Sequence, residues 1–302
     1  MSRIHEALKK AASERVTQLP HGSAPELVEL AGGSIAEREV PAAVRGTPSR
    51  GSTASVTVSP QHEELLRRCR RTEWQIDPRF SVFVNEARDR GGAEKFRTLR
   101  SRLYQIAVTR PIKRIVITSS MPEEGKTFIA SNLAQSIVRQ EQRRVLLIDG
   151  DLRAPRLHLT LGASIKPGLS DYLRGEADEF EIVQTGEQTN LSLIASGAEV
   201  PNPSELLHSN AMRTLLDRLT PLFDWVIVDS PPAIAVHDAS ILADMCDGVL
   251  FVVRAGKTDF EVAQKAAGEF DEKRLLGAIL NRVEKGDAYS YYYAYSGEQE
   301  KS

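Results

Sequence analysis

The sequence predicts an α/β fold, a mostly parallel sheet flanked by helices, and three observations predict it. The apolar runs KRIVITSS, RVLLIDGD, DWVIVDS and GVLFVVR are continuous rather than alternating, the pattern of strands buried on both faces. Helix-period segments separate them, as parallel neighbours require. A Gly-Lys-Thr turn stands between the first run and the helix that follows it. The 302 residues suffice for one such domain of about 200 residues plus an appendage.

Five segments follow in order. Residues 1–18 open with an amphipathic helix, in which Ser2 caps and Ile4, Leu8, Ala11 and Ala12 share a face. About fifteen residues are marginal as a lone helix, so this one needs a surface to dock on. Residues 19–60, rich in Ala, Pro, Gly, Ser and Thr, read as a disordered linker. Residues 61–92 read as a basic connecting segment that opens with a helix from Gln61, and 61–114 carries 14 Lys/Arg against 7 Asp/Glu. Such a stretch suits an anionic membrane, nucleic acid or an acidic partner face, or is simply a solvated helix surface. The α/β domain spans 93–286, beginning with the helix AEKFRTLRSRLYQI. It continues through the helix TFIASNLAQSIVRQ, the run LSLIASG, a helix from Ser204 to about Leu219, a helix near 259–274 and LLGAILNRV. Residues 287–302 form a polar, tyrosine-rich tail.

Composition excludes several classes. Cys69 and Cys246 are far apart and have no metal-ligand spacing, which points away from zinc and toward a reducing cytoplasm. No stretch approaches the ~18 apolar residues of a membrane span, and the N-terminus lacks the apolar core of a secretory signal. The expected location is cytoplasmic, with only peripheral membrane contact.

The strongest local signal is Ser120-Met121-Pro122-Glu123-Glu124-Gly125-Lys126-Thr127. It follows a strand and opens a helix, the context of a phosphate-binding loop. Backbone N–H groups and the helix N-terminus hold phosphates in such loops. Lys126 supplies a charge to the β and γ oxygens, and Thr127 a hydroxyl to Mg²⁺. Ser120 replaces the usual first Gly. Glu123 and Glu124 stand where a Gly is common, and near a triphosphate they are unfavourable unless they point outward. Asp149 and Asp151 follow the next strand, and Asp229 a later one. Carboxylates there lie on the edge where open α/β sheets bind ligands, and Mg²⁺ needs only one or two of them beside phosphate oxygens. The fold expected is therefore that of a P-loop NTPase, with ATP and Mg²⁺ as cofactors.

The helix EKFRTLR, the loop SSMPEEGKT, VLLIDGDLRAPRLH, PGLSDYLRGE, NPSELLHS, DWVIVDSPP and ILNRV occur here in one order. In that order the chain resembles the bacterial tyrosine kinases of capsule and exopolysaccharide synthesis, over roughly residues 94–283 and the tail. The resemblance implies an ATP-dependent protein-tyrosine autokinase. Lys126 and Thr127 then belong to Walker A, Asp149 and Asp151 to Walker A′, and Asp229 to Walker B. Thr127, Asp149, Asp151 and Asp229 form the metal set. Ser120, Glu124, Gly125, Lys126, Thr127, Phe128, Asn281 and Arg282 form the nucleotide set. Lys126, Asp149 and Asp151 carry catalysis, with either Asp as the group that receives the phenol proton. Glu94, Arg97 and Arg100 match an E-x-x-R-x-x-R interface helix, which by spacing alone is a salt-bridged surface. Tyr289, Tyr291, Tyr292, Tyr293 and Tyr295, five of the chain's seven tyrosines, match the acceptor cluster.

The implied partners are further copies of the chain in a ring, phosphorylating in trans. A separate membrane activator of the polysaccharide co-polymerase type and a cognate tyrosine phosphatase complete the set, and no nucleic acid is expected. Two alternatives stand beside this reading: a weakly active ATP-binding scaffold, motivated by the Glu-rich loop, and a MinD/ParA-like ATPase. The latter group carries a second Lys early in its loop, and Met121 occupies that position here.

Overall fold

The computed structural model describes residues 26–28, 60–87, 89–140 and 143–283. The amphipathic N-terminal helix and the five tail tyrosines lie outside the described residues.

Helices and strands alternate as the apolar runs require. In chain order they are β1 (Glu26–Val28), α1 (Pro60–Arg68), β2 (Arg70–Arg71), α2 (Arg90–Thr109), β3 (Arg114–Ser119), α3 (Lys126–Val138) and β4 (Val145–Asp149). Then follow α4 (Leu157–Leu161), α5 (Leu169–Leu173), α6 (Glu179–Ile182), β5 (Val183–Thr185), β6 (Leu191–Ile194), α7 (Pro203–Leu207) and α8 (Asn210–Leu219). The last are β7 (Trp225–Asp229), α9 (Asp238–Asp244), β8 (Gly248–Arg254), α10 (Phe260–Ala267) and β9 (Leu275–Asn281).

Among the described residues the strands form one sheet, in the order β1-β9-β8-β3-β7-β4-β6-β5-β2. The central run from β9 to β6 is wholly parallel. β1 on β9 and β5 on β6 are antiparallel. The chain first moves outward from β3 to β4 and then returns to lay β7 between them and β8 on the far side of β3. The loop after β3 therefore lies where strand order reverses, the place where open α/β sheets bind ligands.

Successive strand residues feed opposite faces. Val116, Leu146, Ile148, Val226, Val228 and Phe251 pack into one core layer. Ile115, Ile117, Leu147, Ile227, Leu250 and Val252 pack into the other. This two-sided burial explains why the runs are continuous. α3 is itself covered almost all round: Ile129, Leu133 and Ile137 are fully buried, each contributing about 1.5–3 kcal/mol relative to exposure.

Three regions depart in part from the sequence expectation. Glu26–Val28, within the stretch read as linker, pair as an edge strand against Ala278–Leu280. The basic helix expected from Gln61 is present as α1, but the segment does more than connect: Leu65 and Cys69 are buried in one core layer, and Arg70 and Arg71 add β2 by pairing with Gln184 and Thr185. The helix expected from Ser204 to about Leu219 is two helices. Ser209, in extended backbone, caps the second by accepting from the Met212 N–H, and a Ser that caps one helix cannot continue another.

The segment before α2 straps the outside of α3. Asn132 accepts from the Val82 N–H and donates to the carbonyls of Phe80 and Phe128. Ser81 Oγ donates to Gln135 Oε1 at 2.7 Å. These polar side chains are buried, and their bonds offset the desolvation that burial costs.

Candidate active site

The site is built where β3, β4 and β7 end. The loop from Ser120 closes into α3 through Gly125, which sits at φ 99 as the helix N-cap. Asn281, at the end of β9, donates through Nδ2 to the Glu124 carbonyl at 2.7 Å. A Cβ on Gly125 would lie 2.0 Å from that nitrogen. Only a glycine satisfies both the left-handed backbone and the close approach.

The two loop glutamates take different places. Glu123 is exposed at φ 64. Glu124 is buried under the loop rather than turned outward: Oε2 accepts from the Met121 N–H at 2.7 Å, and Oε1 accepts from Thr258 Oγ1. Burial pushes its pKa up, against the hydrogen bonds from Met121 and Thr258. Its carboxylate braces the loop from within.

The three strand-end acids converge on the loop. Thr127 Oγ1 donates to Asp229 Oδ2 at 2.6 Å, and Lys126 Nζ lies 3.2 Å from Asp151 Oδ2. Asp149 and Asp229 are register partners on β4 and β7. Burial raises the pKa of Asp229 to about 7, with Lys126 and Thr127 working against the rise. Asp149 is raised well above the carboxylate range by burial first, then by Asp229 and Asp151. Such buried acids favour either a proton or a cation.

Their oxygens are not equivalent. Asp149 Oδ1 accepts from the Asp151 N–H at 3.3 Å, and Oδ2 from the Leu157 N–H at 3.0 Å. Asp151 Oδ1 accepts from the N–H groups of Arg153 and Ala154, at 3.3 and 3.0 Å, leaving Oδ2 to face Lys126. Asp229 Oδ1 is buried without a hydrogen-bond partner, as is Ser120 Oγ. A hard cation fits at Asp229: a buried carboxylate oxygen with nothing to accept from, on the same carboxylate that the Thr127 hydroxyl touches.

The remaining expected residues divide. Phe128 packs its ring on Phe96, with centroids 5.9 Å apart, so only its backbone N–H serves the helix N-terminus. Arg282 is exposed at φ 60, directly after Asn281. Glu94, Arg97 and Arg100 lie on α2, apart from the loop acids. Arg97 pairs with Glu94 at 3.0 Å and with Glu86. Arg100 turns inward and donates to the Ser136 carbonyl of α3 at 2.5 Å.

Sequence reasoning missed Glu124's internal role, together with Thr258 and Asp238. Arg153 donates to Asp238, but the chain has many acids and no local pattern marks Asp238.

Comparison with known proteins agrees with this geometry. Residues 115–300 match the CobQ/CobB/MinD/ParA nucleotide binding domain family. The chain is 38% identical over 204 residues to the tyrosine-protein kinase YwqD of Bacillus subtilis, covering 66% of this chain and 86% of that protein. It is 36% identical over 202 residues to the tyrosine-protein kinase etk of Escherichia coli K12, covering 66% of this chain but 28% of that longer protein. The crystal structure of the chimerical protein CapA2B2 superposes with a TM-score of 0.64 at 29% identity, over 74% of this chain and all of that one. A nucleotide-binding domain match over more than half the chain, and a kinase relative 38% identical of which the chain covers 86%, show that the chain belongs to the bacterial tyrosine-protein kinase family.

Proposed function

We propose that this chain transfers the γ-phosphoryl group of ATP to tyrosines 289, 291, 292, 293 and 295 of a second copy of itself. The carrying observation is the pairing of Lys126 with Asp151 at 3.2 Å, beside Asp229 and Thr127 joined at 2.6 Å. This sets a phosphate-binding charge, a carboxylate oxygen held only by that charge and an acid with an unpartnered buried oxygen within one loop cluster. Thr127 and Asp229 would hold Mg²⁺, which supplies charge neutralisation at the β and γ oxygens.

In this reading the phenol oxygen of the acceptor forms a bond to the γ-phosphorus. The bond to the bridging oxygen breaks, and ADP leaves with that electron pair. Lys126 leaves Asp151 for the phosphate oxygens, which frees Asp151 Oδ2 to orient the phenol and receive its proton. Asp151 suits this better than Asp149, whose two oxygens are already occupied by backbone N–H groups. A phenol has a pKa near 10, so a positioned acceptor for its proton is required near neutrality.

By family, the role would be control of capsule or exopolysaccharide synthesis. The chain would assemble as a ring and be activated by a separate membrane protein of the polysaccharide co-polymerase type, with a tyrosine phosphatase reversing the modification. No helix among the described residues is long and apolar enough to cross a membrane.

The test is phosphotyrosine by mass spectrometry after incubation with ATP and Mg²⁺. Wild-type protein should acquire it on the tail, and Lys126→Met should not, with its thermal transition preserved. Equal labelling of the two would overturn the proposal.

A further inference from the structure

We propose that Arg153, Asp238 and Ser204 form a positioning unit that aims the Asp151 carboxylate during phosphoryl transfer. The inference rests on the phosphotransfer reading above and extends it to residues outside the nucleotide loop.

The connection is continuous. Asp151 Oδ1 is held by the N–H groups of Arg153 and Ala154, so the orientation of Oδ2 depends on the turn 151–154. That turn has no regular secondary structure to stiffen it. Its anchor is the Arg153 side chain, whose Nε donates to Asp238 Oδ2 at 2.8 Å and whose Nη2 donates to Ser204 Oγ at 2.9 Å. Ser204 Oγ in turn donates to Asp238 Oδ1 at 2.5 Å. Asp238 is fully buried in the first turn of α9, so its carboxylate depends on these partners for its hydrogen bonds. Ser204 lies in α7, which packs on α9.

Both carboxylate oxygens of Asp238 are thus engaged by partners from two other segments. Arg153 keeps 40% of its side chain exposed. A guanidinium placed only for burial would not be left at the surface beside the loop site, whereas one that fixes a turn need only reach its anchor. Two packed helices and a buried acid hold what the short turn cannot hold alone.

The experiment compares Arg153→Gln, Arg153→Lys, Ser204→Ala and Asp238→Asn in the full-length protein. Phosphotransfer kinetics are read beside ATP-Mg²⁺ affinity by titration calorimetry and the folded fraction by circular dichroism. Arg153→Gln should lower kcat about 10- to 100-fold, the scale of a small misplacement of a reacting group, with ATP affinity unchanged. Arg153→Lys should recover part of the loss, since an ammonium keeps the charge but not the forked geometry. Combining Arg153→Gln with Asp238→Asn should be no worse than either alone, as expected of one unit. If Asp238→Asn does not fold, Arg153→Gln alone decides.

Wild-type kcat in Arg153→Gln overturns the proposal. So does a kcat loss matched by equal losses of ATP affinity and folded fraction, which is the signature of a plain structural staple. Wild-type protein that makes no phosphotyrosine would instead sink the phosphotransfer reading. Active wild type with equally active variants would sink only the positioning unit.

Discussion

Gly125 carries two demands that no other residue meets: φ 99 and a side-chain nitrogen where its Cβ would be. Gly125→Ala should therefore abolish nucleotide binding by calorimetry while the sheet persists by circular dichroism. Full ATP affinity in that variant would mean that the loop can reopen around a methyl group. Among the acids, Asp151→Asn should lose nearly all transfer and retain its fold. Asp149→Asn should show a lowered melting temperature, because an amide cannot accept from both the Asp151 and Leu157 N–H groups in the same geometry. Equal effects of the two substitutions on melting temperature would contradict that division. His62 offers a pH test away from the site. It packs edge-on against Phe223, with centroids 5.3 Å apart, and burial lowers its pKa to about 4, aided by Arg144. The unfolded chain binds that proton near 6.5 and the folded chain near 4, so His62 removes stability as pH falls through this window. Melting temperature between pH 7 and 4.5 should fall less steeply in His62→Leu than in wild type. Parallel curves would show that His62 carries no such linkage.

At the scale of the element, α2 and α3 act together. Arg97 is held between Glu94 and Glu86 at the surface, and Arg100 is drawn onto the Ser136 carbonyl of the P-loop helix. Exposed pairs contribute only about 0–1 kcal/mol, so Arg97 can exchange its intrachain partners for those of a neighbour at little cost. The proposed interface thus predicts that Arg97→Ala weakens self-association by sedimentation while leaving melting temperature nearly unchanged. Arg100→Ala should lower melting temperature as well, because a buried α3 carbonyl loses its donor. Identical sedimentation of wild type and both variants would return α2 to an ordinary salt-bridged surface. The E-x-x-R-x-x-R spacing was legible in the sequence. The inward turn of Arg100 was not, since it depends on a carbonyl 36 residues away.

For the whole molecule, the question is where the tail acts. β9 ends at Asn281, which touches the loop, so the chain leaves the described body beside the nucleotide site. From Val283, the last described residue, six further residues reach Tyr289, a span of at most about 22 Å when extended. A mixing experiment decides between neighbours and self: Lys126→Met with an intact tail is combined with wild-type loop protein whose five tail tyrosines are Phe. Transfer between subunits predicts label on the Lys126→Met chain, and an unlabelled chain would exclude it. Each phosphotyrosine brings about −1.5 to −2 charge, so five bring roughly −8 to −10. Converging tails should then repel and loosen the assembly, most strongly at low salt. An assembly of constant size despite multiple tail phosphates would refute that switch.

The sequence by itself determined the parallel sheet, the loop with Lys126 and Thr127, and the acids Asp149, Asp151 and Asp229. All are local signals: continuous apolar runs and short motifs at strand ends. Only the tertiary structure decided that Glu124 braces the loop from within, that Asp149 is saturated by backbone N–H groups while Asp151 keeps an oxygen toward Lys126, and that Arg153 is anchored on Asp238. It also decided that β1 and β2 join the sheet, although two or three residues carry no strand period. The physical reason is the same in each case. Which oxygen is free, and which edge is paired, depend on hydrogen bonds between segments far apart in the chain, and local composition does not encode those distances.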